Sequence, residues 1–130
     1  MFSHPALEQI EDKKLVYTAM SKHLFYYRMP ISKYVLENNA VPLNPFMIFD
    51  YFLLDTVDRN LIRSGNNNVI KKCDEVWVFG TISNGVLAEI RLAQSLDIPV
   101  KYFRIDKPHM IIPIQESQTQ MEDDIKNESL

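Results

Sequence analysis

The feature that most limits what this chain can become is the segment Glu75-Val76-Trp77-Val78-Phe79-Gly80, followed closely by Ser83-Asn84-Gly85 and a helical repeat. Val76 to Phe79 is apolar at every position, so both faces of the strand expect cover, as in a parallel sheet. From Gly85 to Leu96, Val86, Ile90 and Ala93 form one stripe with Leu92 and Leu96 beside it, the spacing of an amphipathic helix. A covered strand that leads through a polar loop into a helix is half of a parallel crossover unit.

The same alternation runs through the rest of the chain. Leu15 to Ala19 reads as a first strand, and Ser21 to Asn38 as helical, with Ile31, Tyr34, Val35 and Asn38 on one face. Pro30 predicts a kink or a restart in that helix. Ala40-Val41-Pro42-Leu43 is a short strand, peripheral because proline cannot donate to a ladder. Phe46 to Leu54 is apolar nearly all round and predicts wrapping by the fold or by a second subunit. Asp58 to Lys72 reads as a helix interrupted at Gly65-Asn66-Asn67-Asn68, a run of poor helix formers. Pro99 to Phe103 is a further strand, and Met110 to Ile114 a fifth at an edge. Alternating strands and helices predict an α/β fold, a parallel sheet of four to five strands with helices on both faces. Residues 1–13 read as an N-terminal arm, 14–114 as one domain, and 115–130 as an acidic tail without fixed structure.

Composition narrows the partners. The net charge is −3, but the last sixteen residues hold five acids (Glu116, Glu122, Asp123, Asp124, Glu128) against Lys126. The preceding 114 residues then carry 12 acids and 13 bases, with no basic stripe for a nucleic-acid polymer. No stretch approaches about 18 apolar residues, so no membrane span is expected. The first residues, Met1-Phe2-Ser3-His4-Pro5, lack a basic region followed by an apolar one. With a lone cysteine, Cys73, this predicts a cytoplasmic protein without an internal disulfide. His4, His23 and His109 are scattered without ligand spacing, so no metal is expected. Three glycines exclude a phosphate-cradling P-loop and a G-x-G-x-x-G turn, and no G-x-S-x-G elbow is present. Cys73 reads as a small buried hydrophobe, and Lys71-Lys72 as a solvated helix end.

In a sheet of this kind ligands gather beyond the carboxyl ends of the strands. Tyr17, Thr18 and Ser21 follow the first strand, Asn44 the second, and Thr81, Ser83, Asn84, Gly85 and Glu89 the third. Asp74 precedes the third strand and falls at the opposite end. Ser83 or Asn84 can cap the helix, whose first amides favour an anion, while Gly85 lets a ligand approach the backbone. Glu89, one turn beyond Gly85, shares its face and points back toward the helix start. Its carboxylate could attack a sugar carbon or hold ribose hydroxyls; a solvated carboxylate complementing the helix dipole is the plainer reading. Asp50, Asp55 and Asp58 suit capping or solvation, although one of them could enter a pocket.

The order Leu15-Val16-Tyr17, Pro42-Leu43-Asn44-Pro45, Cys73-Asp74-Glu75-Val76-Trp77-Val78-Phe79-Gly80, Ser83-x-Gly85-x-x-x-Glu89-Ile90-x-x-Ala93 and Ile98-Pro99-Val100 resembles the nucleoside 2-deoxyribosyltransferase-like superfamily. The likeness spans roughly residues 14–104 and is nearest a small, largely uncharacterised branch, with similarity also to 2′-deoxynucleoside 5′-monophosphate N-hydrolases. It implies a flavodoxin-like sheet, a homodimer or higher homo-oligomer, and no cofactor. It implies cleavage or transfer at the N-glycosidic bond of a nucleoside or nucleoside 5′-monophosphate, with Glu89 as nucleophile. It also implies a phosphate contact at Ser83; together with the strand-end residues and the helix start, this predicts a small-molecule site drawing on Tyr17, Ser21, Asn44, Asp55, Asn84 and Gly85. The chain departs from the family in two places. Thr18-Ala19-Met20-Ser21 replaces a glycine-containing turn, and Leu61-Ile62-Arg63-Ser64 carries Arg63 where family enzymes place an Asp. The proton donor would then be Asp55, Asp58 or a neighbouring subunit's group, or the site would bind a nucleotide without turnover.

Overall fold

The computed structural model describes residues 1–130, the side chain of Tyr51 excepted. Five strands, β1 (Lys14–Met20), β2 (Ala40–Leu43), β3 (Glu75–Phe79), β4 (Val100–Lys107) and β5 (Met110–Ile114), form one sheet in the order β2-β1-β3-β4-β5. β1 to β4 are parallel, and β5 returns antiparallel on β4. The sheet is therefore mixed rather than wholly parallel. Only Pro108 and His109 join β4 to β5, and a parallel neighbour would need a crossover of about a dozen residues.

Side-chain alternation sorts the two faces. Tyr17, Ala19, Val76, Val78 and Tyr102 pack with Ile70 of α3 (Arg59–Lys72) and with Val86 and Ile90 of α4 (Asn84–Ser95). Val16, Met20, Trp77, Phe79 and Phe103 pack with Ile31 and Val35 of α1 (Arg28–Glu37). Every residue of β3 is buried, which accounts for its uninterrupted apolar run. Pro30 lies in the first turn of α1, after a short 3-10 turn (Lys22–Tyr27), where its missing N–H costs no hydrogen bond. Asn39 leaves that helix in the left-handed region at φ 62°, which asparagine tolerates. β2 pairs only with β1, so Pro42 sits on an edge strand.

Two expectations fail, the break in α3 and the unstructured tail, each for a physical reason, and cover of the aromatic stretch does not come from the fold. α3 runs unbroken through Gly65-Asn66-Asn67-Asn68. A Cβ at Gly65 would lie 2.7 Å from Cζ of Phe49, so the glycine admits that ring, and packing overrides propensity. The aromatic stretch is not wrapped by the fold. It breaks into α2 (Pro45–Ile48) and a 3-10 turn (Tyr51–Asp55), leaving Met47 and Phe52 51% and 74% exposed.

The acidic tail is ordered. Met121 bridges Ile82 in a parallel pair, with Ile82 N donating to Gln120 O and Glu122 N to Ile82 O, both at 2.8 Å. Met121, Ile125 and Leu130 pack on the core, and Arg91 donates to Ser129 O at 2.7 Å. Those three apolar residues, set among the charges, supply the burial that a uniformly acidic segment lacks.

Candidate functional site

β1 and β3 are neighbours in the sheet but not in sequence, so the chain leaves them in opposite directions and opens a crevice beyond their carboxyl ends. A cavity of about 560 Å³ occupies it. Its floor comes from the loop after β3. Gly80 turns at φ 76°, and a Cβ there would meet Leu24 Cδ1 at 2.6 Å, so the turn favours glycine. Buried Ile82 anchors the loop, and Ser83 then caps α4, its Oγ accepting from Val86 N at 3.3 Å.

One turn into α4 the side chain of Glu89 lines the cavity on the face shared with Gly85. Behind it stands Tyr17, fully buried, whose hydroxyl donates to the Glu89 carboxylate. Burial pushes the Glu89 carboxyl up to about 7, and the Tyr17 hydrogen bond draws it only partly back. The Tyr17 hydroxyl is raised well above its ordinary range, first by burial and then by the charge of Glu89, so it remains a donor. A carboxylate with one buried donor and open space in front of it is basic for its kind and able to act as a nucleophile.

The other predicted residues fall into three groups. Ser83, Asn84 and Gly85 line the cavity beside Glu89, and a Cβ added at Gly85 would meet open space. Ser21 lines it too, with its hydroxyl donating to Glu122 Oε2 at 2.7 Å. Tyr17 and Asn44 do not line the cavity themselves. Tyr17 touches Glu89, which does. Asn44 is buried, caps α2 by accepting from Phe46 N at 2.9 Å, and sits 3.3 Å from Met20 Sδ. Asp55 lines an adjoining hollow of about 220 Å³ rather than the cavity itself, and Asp58 caps α3 through Asn60 N at 2.7 Å. Cys73 is buried, its thiol pushed up to about 11 by burial and by Asp74. Asp74 accepts from Leu15 N at the far end of the sheet. Among the described residues no group of three or more His, Cys, Asp or Glu side chains could hold a metal ion.

A family model described as "Domain of unknown function (DUF7768)" matches residues 17–103, more than half of the sequence. The chain belongs to that family. No curated protein matches it. Among solved structures, the 2-desoxiribosyltransferase from Leishmania mexicana shares the fold at a TM-score of 0.55 and 20% identity. The alignment covers 72% of this chain and 65% of that one, so this family member spans less than two thirds of that structure's length. A likeness at this identity establishes the α/β architecture. No helix among the described residues is long and apolar enough to cross a membrane.

Several cavity residues were not among the site residues expected from the sequence. Arg59, Arg63 and Asn66 line one wall from a single face of α3. Their spacing of four and then three residues was the available signal. The Asn66 side-chain oxygen is buried without a hydrogen-bond partner, an acceptor still waiting for a donor. Glu122 comes from the tail, 24% exposed, with Oε1 4.0 Å from His23 Nε2. Nothing local in the sequence ties Glu122 to Ser21, since 101 positions separate them.

Proposed function

We propose that the protein cleaves the N-glycosidic bond of a nucleoside or nucleoside 5′-monophosphate, passing the sugar to water or to a second base through Glu89. One observation carries this reading: a half-buried carboxylate, raised to about 7 and oriented by the Tyr17 hydroxyl, opens onto a cavity of about 560 Å³. That volume suits a nucleoside-sized ligand. The shared architecture with a 2-desoxiribosyltransferase supports the same class of substrate.

In this mechanism a Glu89 oxygen forms a bond to the anomeric carbon as the bond from that carbon to the base nitrogen breaks. The electron pair leaves with the base, which takes a proton from a second acid. Water or another base then attacks the anomeric carbon and frees the Glu89 carboxylate. Glu122 and Asp124 line the same cavity and are better placed as the acid than Asp55 or Asp58, which face elsewhere. Phe46, also on the wall, offers an apolar ring for the base. No cofactor enters any step. The protein works as a cytoplasmic homodimer or higher oligomer in this reading, its exposed segment around Met47 and Phe52 buried between subunits. Light scattering that returns a monomer removes that part.

A second reading, a nucleotide-binding or sensing module without turnover, is favoured by Arg63, a cation where the resembled enzymes carry an acid. Incubation with a mixed pool of nucleosides and 5′-monophosphates, followed by chromatography of released bases, separates the two. Release that is lost in Glu89→Gln supports cleavage. Ligand-induced thermal stabilisation with no base released supports the binding module, and release that survives in Glu89→Gln rejects the role of Glu89.

A further inference from the structure

The cavity in front of Glu89 is divided by charge. On one side lie two tail carboxylates: Glu122 accepts from the Ser21 hydroxyl at 2.7 Å, and Asp124 Oδ2 accepts from Asn84 Nδ2 at 3.3 Å. Another part of the lining is basic. α3 presents Arg59 and Arg63 there, one helical turn apart, and Lys22 joins them from the turn after β1.

Among the described residues none of these three cations makes an ion pair with a carboxylate. Arg63 donates only to the amide oxygen of Asn60, at 3.0 Å. The same three cations line the adjoining hollow that holds Asp55, so they form a ridge between the two spaces. Two guanidinium groups on neighbouring turns, about 5–6 Å apart at their Cβ atoms, match the reach of a doubly charged oxyanion. The amino end of α4 offers the opposite environment. Its exposed amides adjoin the Glu122 and Asp124 carboxylates, whose charge repels a phosphate.

We propose that the cavity takes a phosphorylated sugar unit whose phosphate rests on the α3 ridge at Arg59 and Arg63, while its hydroxyls face Glu89 and Glu122. The substrate class is then the nucleoside 5′-monophosphate rather than the free nucleoside. The phosphate also moves away from Ser83, where the family resemblance would put it. This deepens the N-glycosidic reading and rests on it for the identity of the sugar.

Binding can be read apart from turnover with 2-deoxyribose 5-phosphate and 2-deoxyribose, neither of which has a glycosidic bond to cleave. In isothermal titration the phosphorylated sugar binds at least about tenfold more tightly, and added salt erodes the preference. Arg63→Gln reduces the preference about threefold, and Arg59→Gln with Arg63→Gln abolishes it. Both arginines are exposed, so the double variant keeps its melting temperature, and Ser83→Ala keeps the preference. Three results overturn the proposal: equal affinity for the two sugars, binding of neither in the millimolar range, or a preference that survives the double variant and falls with Ser83→Ala. The cleavage reading fails separately. Arginine-dependent binding of the phosphosugar, with no base released from any nucleotide, leaves the ridge standing and removes the N-glycosidase.

Discussion

Each end of the sheet holds a glutamate, buried at one end and half-buried at the other, and the two are treated in opposite ways. At the amino end, Glu75 receives Lys14 Nζ at 2.6 Å, Trp77 Nε1 at 2.8 Å and Lys101 Nζ at 3.1 Å. Burial opposes its ionisation, but those three donors outweigh burial and hold the carboxyl down to about 2. At the carboxyl end, Glu89 has the Tyr17 hydroxyl alone among the described residues, burial wins, and the carboxyl rises to about 7. In the proposed function the difference separates a structural charge from a reactive one. A carboxylate whose lone pairs are filled by the protein is spent on stability, whereas one left short of donors keeps basicity for a ligand.

The largest test of that contrast is chemical. Glu89→Gln lowers base release on the order of 10³-fold or more in the chromatographic assay, while Glu75→Gln leaves the rate of the folded enzyme unchanged. Equal losses in the two variants would erase the distinction.

Stability moves the other way. The folded value of Glu75 lies below its ordinary 4.5, so its contribution is present above about pH 4.5 and is lost as pH falls toward 2. Glu75→Gln therefore costs about 1–3 kcal/mol at pH 7 in urea unfolding, the lower part of the range reflecting two lysines that are more than half in water, and far less at pH 2. The folded value of Glu89 lies above 4.5. Its penalty is absent below that pH, grows as pH rises to about 7 and is then constant. Glu89→Gln is accordingly more stable than the wild type at pH 8, by roughly 2–3 kcal/mol, and no more stable at pH 4. A variant destabilised at both pH values would show that Glu89 is structural like Glu75.

The smallest effect sharpens the role of Tyr17. The proposed mechanism predicts that wild-type kcat/KM rises through a limb near pH 7, as Glu89 ionises. Tyr17→Phe removes the one interaction that lowers this value, so the limb shifts to higher pH while the fold persists. A limb that stays in place would mean that Tyr17 only fills space.

Much of the architecture could be read along the chain. The apolar run of β3, the stripe of α4, the edge position of β2 and the capping serine depend on neighbours within a few residues, and periodicity reports them directly. Glu89 was legible for the same reason, since it lies one turn past Gly85 on the same helix. The tail misled because its charge outweighs Met121, Ile125 and Leu130 in any count, yet those three side chains decide its docking.

By itself, then, the sequence determined the strands, most of the helices, their order and the end of the sheet at which the cavity opens, because each follows from local side-chain spacing. Tertiary structure alone decided which polar groups meet. Lys14, Glu75 and Lys101 gather through strand register, Tyr17 reaches Glu89 across 72 positions, and Ser21 reaches Glu122 across 101. Such pairings carry no periodic signal, because they form only after the backbone has brought distant segments to one place.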